Sequence, residues 1–386
     1  MKLGLVTPHY PPDLSGASEF VAHAEACELT KRGHGVRVAT GCTWEHSGRD
    51  VLRGRIDDSD VAYLPLLEGE HERDQRERWV RLVLEELRGV DACWVHYSAS
   101  LASGLIQPLA RRMPVIVCID EADDLERIAD ELVHADRILV ATHEIADLLV
   151  EAQSALAGRL EVCSFGLCRS ISPLRASQRR AAWDGSRPMS LFHFGRRSES
   201  SGLPALLDGL RELPTGRFEL VLAGGEAEPG FDSSLERRAG ETPVHFFGPY
   251  QTDQLAALGS ACDLAVFPGS IARGQGPVVD EALALGLPVW CCEAADPLGR
   301  IREPEGTPFA LGQARLQRVQ SRPGRILPAN SPDAWTSAFE QLLEDPEQHH
   351  AERHAIPQSF ETTSERVARL ENLFGDLLSH AFRKAS

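Results

Sequence analysis

No stretch of this 386-residue chain approaches the roughly 20 consecutive apolar residues that a membrane-crossing helix needs, which excludes such a helix and leaves only peripheral contact with a bilayer open. No secretory leader is expected either: the opening "MKLGLVTPHYPP" is apolar only briefly before prolines break it. Nine cysteines lack a framework spacing, and neither the adjacent Cys291 and Cys292 nor Cys163 and Cys168 meets a partner pair at zinc-finger distance. Free thiols in a reducing cytosol follow, so a cytoplasmic location is expected. There is no surplus of positive charge. With 40 basic against 57 acidic residues the formal charge is −17, which argues against general nucleic-acid binding but not against a small anion in a locally positive pocket. Internal repeats and low-complexity tracts are absent, which sets solenoids and linkers aside. Lysine is scarce beside arginine and alanine, a bias that fits a GC-rich bacterial genome and bears on no function.

What is present is the material of two cores. The chain is 42% hydrophobic and 25% charged, and its length exceeds one ordinary domain. Short apolar runs bounded by loops predict buried strands at 2–7, 35–41, 91–98, 114–121 and 136–143, with helices at 19–34 and 68–89. Strand, loop, helix, strand is the βαβ unit of a parallel sheet. The Ser-, Arg- and Pro-rich stretch 163–189 interrupts this and reads as an interdomain connection. The alternation then restarts, with strands at 190–196, 218–225, 244–248, 263–270 and 287–292, and helices near 203–212, 252–261, 277–285, 331–344 and 361–382. Two successive α/β halves place a cleft between them. We set the domains at 1–180 and 181–360, with the helix 361–386 packing back on the first.

The stretch "RGQGPVVDEALALGLPVW" (273–290) reads as a short helix with a glycine-rich mouth. Gly276 suits the N-cap and Pro277 the first helical position, where its missing N–H costs nothing. Gly286 and Pro288 end the helix. Its N-terminus follows a strand's C-terminal end, the edge at which open α/β sheets bind ligands, and free N–H groups there favour an anion or a sugar hydroxyl. Glu281, one turn in, can accept from vicinal hydroxyls such as those of a ribose. Alternatively, Asp280 and Glu281 merely complement the helix dipole. Arg273 stands at the entrance, with seven residues between it and Glu281.

This arrangement resembles the GT-B glycosyltransferases, specifically the retaining family 4, which carries Glu, seven residues, Glu across such a helix start and leaves it through Gly-Leu-Pro-Val-Val. Here Arg273-Gly274-Gln275-Gly276 opens the motif and "ALALGLPVW" closes it. Four further segments match in order. They are "LVTPHYPPDLSGASEFVAHAEACELTKRGHGVRVAT", "LFHFGRRSESSGLPALLDGL", "FFGPYQTDQLAALGSACDLAVFPGS" and "LPANSPDAWTSAFEQLLEDPE" with Phe360. The resemblance covers nearly the whole chain and implies two Rossmann-like parallel-sheet domains facing each other across a cleft.

The same resemblance implies the site residues. Ser15 and Gly16 take the places of the glycine pair that approaches the donor diphosphate. Arg196, after Gly195, matches the phosphate arginine, whose guanidinium can clamp phosphate oxygens bidentately. Ser201 stands where the family has a lysine. Arg197 is expected as a solvated surface residue. Asp120 replaces the family's histidine at a strand end and can serve as acceptor base, as a contact to a donor hydroxyl, or as a loop acid without a task. His96, ending the preceding strand, is either a second catalytic candidate or a satisfied structural residue. Arg273 replaces a glutamate that touches the donor sugar; unable to accept a hydrogen bond, it can meet a carboxylate or phosphate. Gly274, Gly276, Pro277, Val278 and Glu281 complete the donor set.

The expected activity is transfer of a sugar from a nucleotide diphosphate sugar to a small-molecule, glycan or lipid-linked acceptor, with retention and without a metal or other cofactor. Two alternatives remain: a pseudo-glycosyltransferase with an unusual donor or acceptor, and a non-catalytic homologue that binds or scaffolds. His350 and His354, one helical turn apart, read as a solvated helix face, as does the charged run 70–78.

Overall fold

A computed structural model describes residues 1–12, 17–42, 50–65, 72–97, 104–119, 125–141, 143–163, 166–167, 180–250, 252–269, 278–292, 301 and 322–385. The chain divides into two compact units, Met1–Cys168 with Glu361–Ser386, and Arg169–Phe360.

The first unit is built on β1 (Lys2–Thr7), β2 (Gly35–Cys42), β3 (Leu52–Ile56), β4 (Ser59–Pro65), β5 (Ala92–His96), β6 (Val115–Ile119), β7 (Arg137–Val140) and β8 (Leu160–Val162). They form one sheet in the order β3-β4-β2-β1-β5-β6-β7-β8, parallel throughout except that β3 runs antiparallel to β4. The strands read as unbroken apolar runs because both faces are covered. Successive residues therefore enter opposite cores: Cys93 and Val95 join one cluster while Trp94 joins the other, and Val115, Val117 and Ile119 alternate with Ile116 and Cys118. The covering helices are α1 (Ala17–Lys31), α2 (Glu72–Glu86), α3 (Ile106–Ala110), α4 (Leu125–Leu132) and α5 (His143–Ala152).

The second unit carries β9 (Met189–Phe194), β10 (Phe218–Ala223), β11 (Val244–Phe247), β12 (Leu264–Phe267), β13 (Val289–Cys291) and β14 (Gly324–Ile326), all parallel, in the order β11-β10-β9-β12-β13-β14. Its helices are α6 (Leu203–Arg211), α7 (Phe231–Ala239), α8 (Thr252–Ser260), α9 (Val278–Ala284), α10 (Pro332–Glu344) and α11 (Glu347–His354). Trp183, Trp290, Trp335 and Phe339 fill one core around Leu191, Leu220 and Val266. The final helix α12 (Thr363–Ala385) belongs to the first unit, where Val367, Leu370 and Phe374 pack with Leu3, Leu5 and Trp94.

Strands β3, β4, β8 and β14 are not among the expected elements. β3 (LRGRI) is exposed along most of its length and β8 and β14 are only three residues each, whereas β4 (SDVAYLP) is a buried apolar run that the sequence reading missed. Of the expected connection 163–189, Cys163, Gly166 and Leu167 belong to the first unit and 180–189 to the second, so the two units divide within it. Arg187 grips buried Asp263 with two hydrogen bonds of 2.6 and 2.7 Å, and Trp183 is fully buried. Among the described residues no helix is long and apolar enough to cross a membrane.

Candidate functional site

The order of the second sheet reverses between β9 and β12: the chain moves outward from β9 through β10 to β11, then returns to the other side of β9. At such a switch point the connecting loops part, and a crevice opens beyond the strands' C-terminal ends. A cavity of about 310 Å³ lies there, lined by His193, Phe194, Gly195, Arg196, Ser198, Ser200, Ser201, Ala227 and Val278. Gly195, Arg196, Ser201 and Val278 were all assigned to donor binding from the sequence, and the fold gathers them around this one space.

Backbone packing shapes its floor. Gly202 caps α6 in the left-handed region (φ 68°), and a Cβ there would lie 2.4 Å from the Gly269 nitrogen. The loops after β9 and β12 thus touch main chain to main chain, which only glycine permits.

Adjacent arginines take opposite roles at the cavity's edge. Arg196 is exposed and lines the space. Arg197 is 2% exposed, correcting the expectation of a solvated residue. Its Nε and Nη2 donate to the two carboxylate oxygens of Asp232 at 2.7 and 2.5 Å, its Nη1 donates to the Gly224 carbonyl at 2.6 Å, and its guanidinium lies over the Phe246 ring. Burial is tolerated because each of its three nitrogens donates a hydrogen bond, two of them to a carboxylate. Arg197 also joins Gly225 and Ala227 through main-chain hydrogen bonds, tying the loop after β9 to the loop after β10. Because successive side chains of an extended segment point apart, fixing Arg197 inward turns Arg196 outward.

His193 is a lining residue that sequence reading missed. Its Nδ1 donates to the Val266 carbonyl at 2.9 Å, bridging β9 to β12. Burial pushes its pKa down to about 4; the Val266 carbonyl opposes this and Arg197 adds to it, so the ring is neutral at neutral pH. The available signal was a single polar residue within the apolar run "LFHF". Ser201, in the family's lysine position, is 5% exposed and donates its hydroxyl to the Ser198 carbonyl at 2.5 Å. Among the described residues, Arg196 is therefore the one formally charged side chain lining the cavity. Asp280 and Glu281 are buried at 4% and 2% in the first turn of α9.

The first unit treats its candidate differently. His96 ends β5 but is 1% exposed, and its Nε2 donates to Glu25 at 2.8 Å. Glu25 also accepts from Trp94 Nε1 at 3.0 Å and from Arg366 Nε at 2.5 Å. Burial alone would raise the Glu25 pKa; Arg366 and then His96 outweigh it and bring it to about 2. His96 is thus part of a buried ion cluster joining α1, β5 and α12. This geometry favours the structural alternative over catalysis. Gly16, Asp120, Arg273, Gly274, Gly276 and Pro277 lie outside the described residues.

The family model described as "Glycosyl transferases group 1" matches residues 188–345, the part that holds the cavity. The D-inositol 3-phosphate glycosyltransferase of Mycobacteroides abscessus is 27% identical over 259 residues, 64% of this chain and 53% of that protein. The counterpart from Corynebacterium urealyticum is 25% identical over 61% of this chain and 56% of its own length. The chain thus spans about half the length of these curated relatives. Among solved structures, sucrose-phosphate synthase from Thermosynechococcus elongatus superposes with a TM-score of 0.73 at 15% identity, covering 98% of this chain and 99% of that one. Anabaena Alr3699/HepE in complex with UDP and glucose gives 0.69 at 14% identity, covering 97% and 100%. The chain has the GT-B fold, and its residues 188–345 are similar to the glycosyl transferases group 1 family.

Proposed function

We propose that the protein is a glycosyltransferase that takes its sugar from a nucleotide diphosphate sugar bound at the β9–β12 switch point. The observation that carries this is the cavity itself, with Arg196 at its edge, inside the domain that matches the family. In the transfer, the bond from the anomeric carbon to the diphosphate oxygen breaks and a bond to an acceptor hydroxyl oxygen forms. The acceptor's proton leaves with the diphosphate or to solvent. Negative charge grows on the leaving diphosphate, and a guanidinium held in place before the reaction stabilises that charge without reorganising. Arg196 is assigned this role. Main-chain and hydroxyl donors of Gly195, Ser198 and Ser200 are assigned to the remaining phosphate oxygens, and Glu281 to the ribose hydroxyls. His193, neutral, closes the apolar side and keeps β12 in register. Retention and independence of a metal ion follow from the family 4 resemblance, as do an acceptor of small-molecule, glycan or lipid-linked type and a role for Asp120 or Arg273 at the sugar. The named relatives support glycosyl transfer, and the structural neighbour in complex with UDP and glucose supports a nucleotide sugar as donor.

Calorimetric titration of the full chain with UDP, GDP, ADP and dTDP sugars tests the proposal. One of the four should bind at a single site; a folded sample that binds none contradicts it.

Ser201 favours a second reading. Where the resemblance implies a second positive charge, the cavity has a hydroxyl already committed to Ser198. A pseudo-glycosyltransferase that joins an unusual donor or acceptor fits the replacement of that positive charge by Ser201. Turnover of a neutral sugar donor with a simple alcohol acceptor would exclude it.

A further inference from the structure

Three donor atoms of different chemistry converge on the surface of the first unit, apart from the cavity described above. His23 and Cys27 lie four residues apart on α1 and so share one face of that helix. Asp57 lies in the two-residue turn between β3 and β4, where Asp57 and Asp58 both have positive φ, 44° and 66°. This is the conformation of a primed hairpin turn, which asparagine or glycine serves without adding charge. The carboxylate at 57 is instead turned to α1. Its Oδ2 lies 2.9 Å from His23 Nε2 and 3.8 Å from Cys27 Sγ, and Sγ lies 3.4 Å from the same Nε2.

We propose that His23, Cys27 and Asp57 form a binding site for a thiophilic divalent cation, zinc by the chemistry of the set. Around tetrahedral zinc, bonds of about 2.3 Å to sulfur and about 2.0–2.2 Å to nitrogen or oxygen separate the donor atoms by about 3.4–3.6 Å. The three observed separations bracket that range within about half an ångström. One thiolate, one imidazole and one carboxylate match the borderline softness of zinc and suit neither calcium nor magnesium. A nucleophile relay would need the carboxylate on the far ring nitrogen from the thiol. Here both groups face Nε2, so the set converges on a point rather than forming a chain. The Asp57 side chain is 61% exposed and that of His23 22%, which leaves the fourth position open to water. Cys27 is half-buried, whereas Cys93, Cys118, Cys163, Cys262, Cys291 and Cys292 are buried. Binding exchanges the thiol proton for the metal: thiol plus Zn²⁺ gives the metal thiolate and a released proton. The bound ion cross-links α1 to the β3–β4 turn.

The test uses the full chain, stripped with chelator and titrated with Zn²⁺ alone, then with Co²⁺. We expect one equivalent of zinc to bind, to raise the melting temperature and to shield one thiol from alkylation. Cobalt should give a thiolate charge-transfer absorption. Cys27→Ser should abolish that absorption, and Asp57→Asn, which suits the turn, should weaken zinc binding at least about tenfold while leaving the metal-free melting temperature nearly unchanged. No stoichiometric binding, or zinc affinity and cobalt absorption that survive both substitutions, would overturn the proposal.

Discussion

The two units share a parallel-sheet plan and use buried charge for different ends. In the first, Glu25, His96 and Arg366 satisfy one another in the core and fasten the last helix of the chain to the sheet. In the second, Arg197 and Asp232 are matched at the rim of a cavity, and their pairing orients the neighbouring Arg196 toward solvent. Exposure alone would rank Arg196 as the less important residue. The comparison teaches the reverse: the buried arginine holds the loop, and the exposed one is free to meet a ligand.

The strongest way to break this contrast is Arg366→Met. Removing one partner of a buried ion cluster leaves an uncompensated charge and costs about 3–5 kcal/mol. Urea unfolding should show that loss in the first unit, with nucleotide binding by the folded protein unchanged. A loss of under about 1 kcal/mol would mean that apolar packing of Val367, Leu370 and Phe374 holds the helix by itself.

Acid should separate the units next. His193 has a native pKa of about 4, below its unfolded value, so the unfolded chain takes up the proton first. Its contribution is present above about pH 6.5 and is lost as pH falls through 6.5 toward 4, on the order of 3 kcal/mol in all. Glu25 is also depressed, to about 2, so its contribution is present above about pH 4.5 and is lost as pH falls toward 2. The second unit should therefore weaken at milder acidity than the first. Melting temperatures followed from pH 7 to pH 3 check the order, and His193→Asn, which keeps a donor for Val266 without titrating, should flatten the upper part of the profile.

Arg197→Ala should cost about 2 kcal/mol, because it strips Asp232 and the Gly224 carbonyl of their donors. Chemical denaturation reads this directly, and Arg196→Ala should stay within about 0.5 kcal/mol of the parent. The smallest expected effect is a gain. Ser201→Lys places a second cation at the cavity and should tighten nucleotide diphosphate binding several-fold, about 1 kcal/mol, an effect that added salt reduces.

Much of this was legible in the sequence, for physical reasons. Strands buried on both faces have to be continuously apolar, so β1, β5, β6, β9 and β12 declared themselves. The approach of main chains at Gly202 and Gly269 did not read in the sequence, because the two glycines lie 67 residues apart. β3 did not read as a strand because "LRGRI" is exposed along most of its length and the turn after it is Asp-Asp rather than Asn-Gly. Arg197 looked like surface because its partner Asp232 lies 35 residues away, beyond any local pattern. His96 showed its strand-end position but not its partners, since Glu25 and Arg366 come from helices at opposite ends of the chain.

The account turns on Arg196 as the anchor of a diphosphate. The most direct measurement is side-by-side calorimetry of the parent and Arg196→Ala with the tightest-binding nucleotide diphosphate, on samples with matching circular dichroism and melting temperature. The account predicts a loss of about tenfold or more in affinity, with a weaker salt dependence in the variant. Equal affinities and equal salt dependence would contradict it.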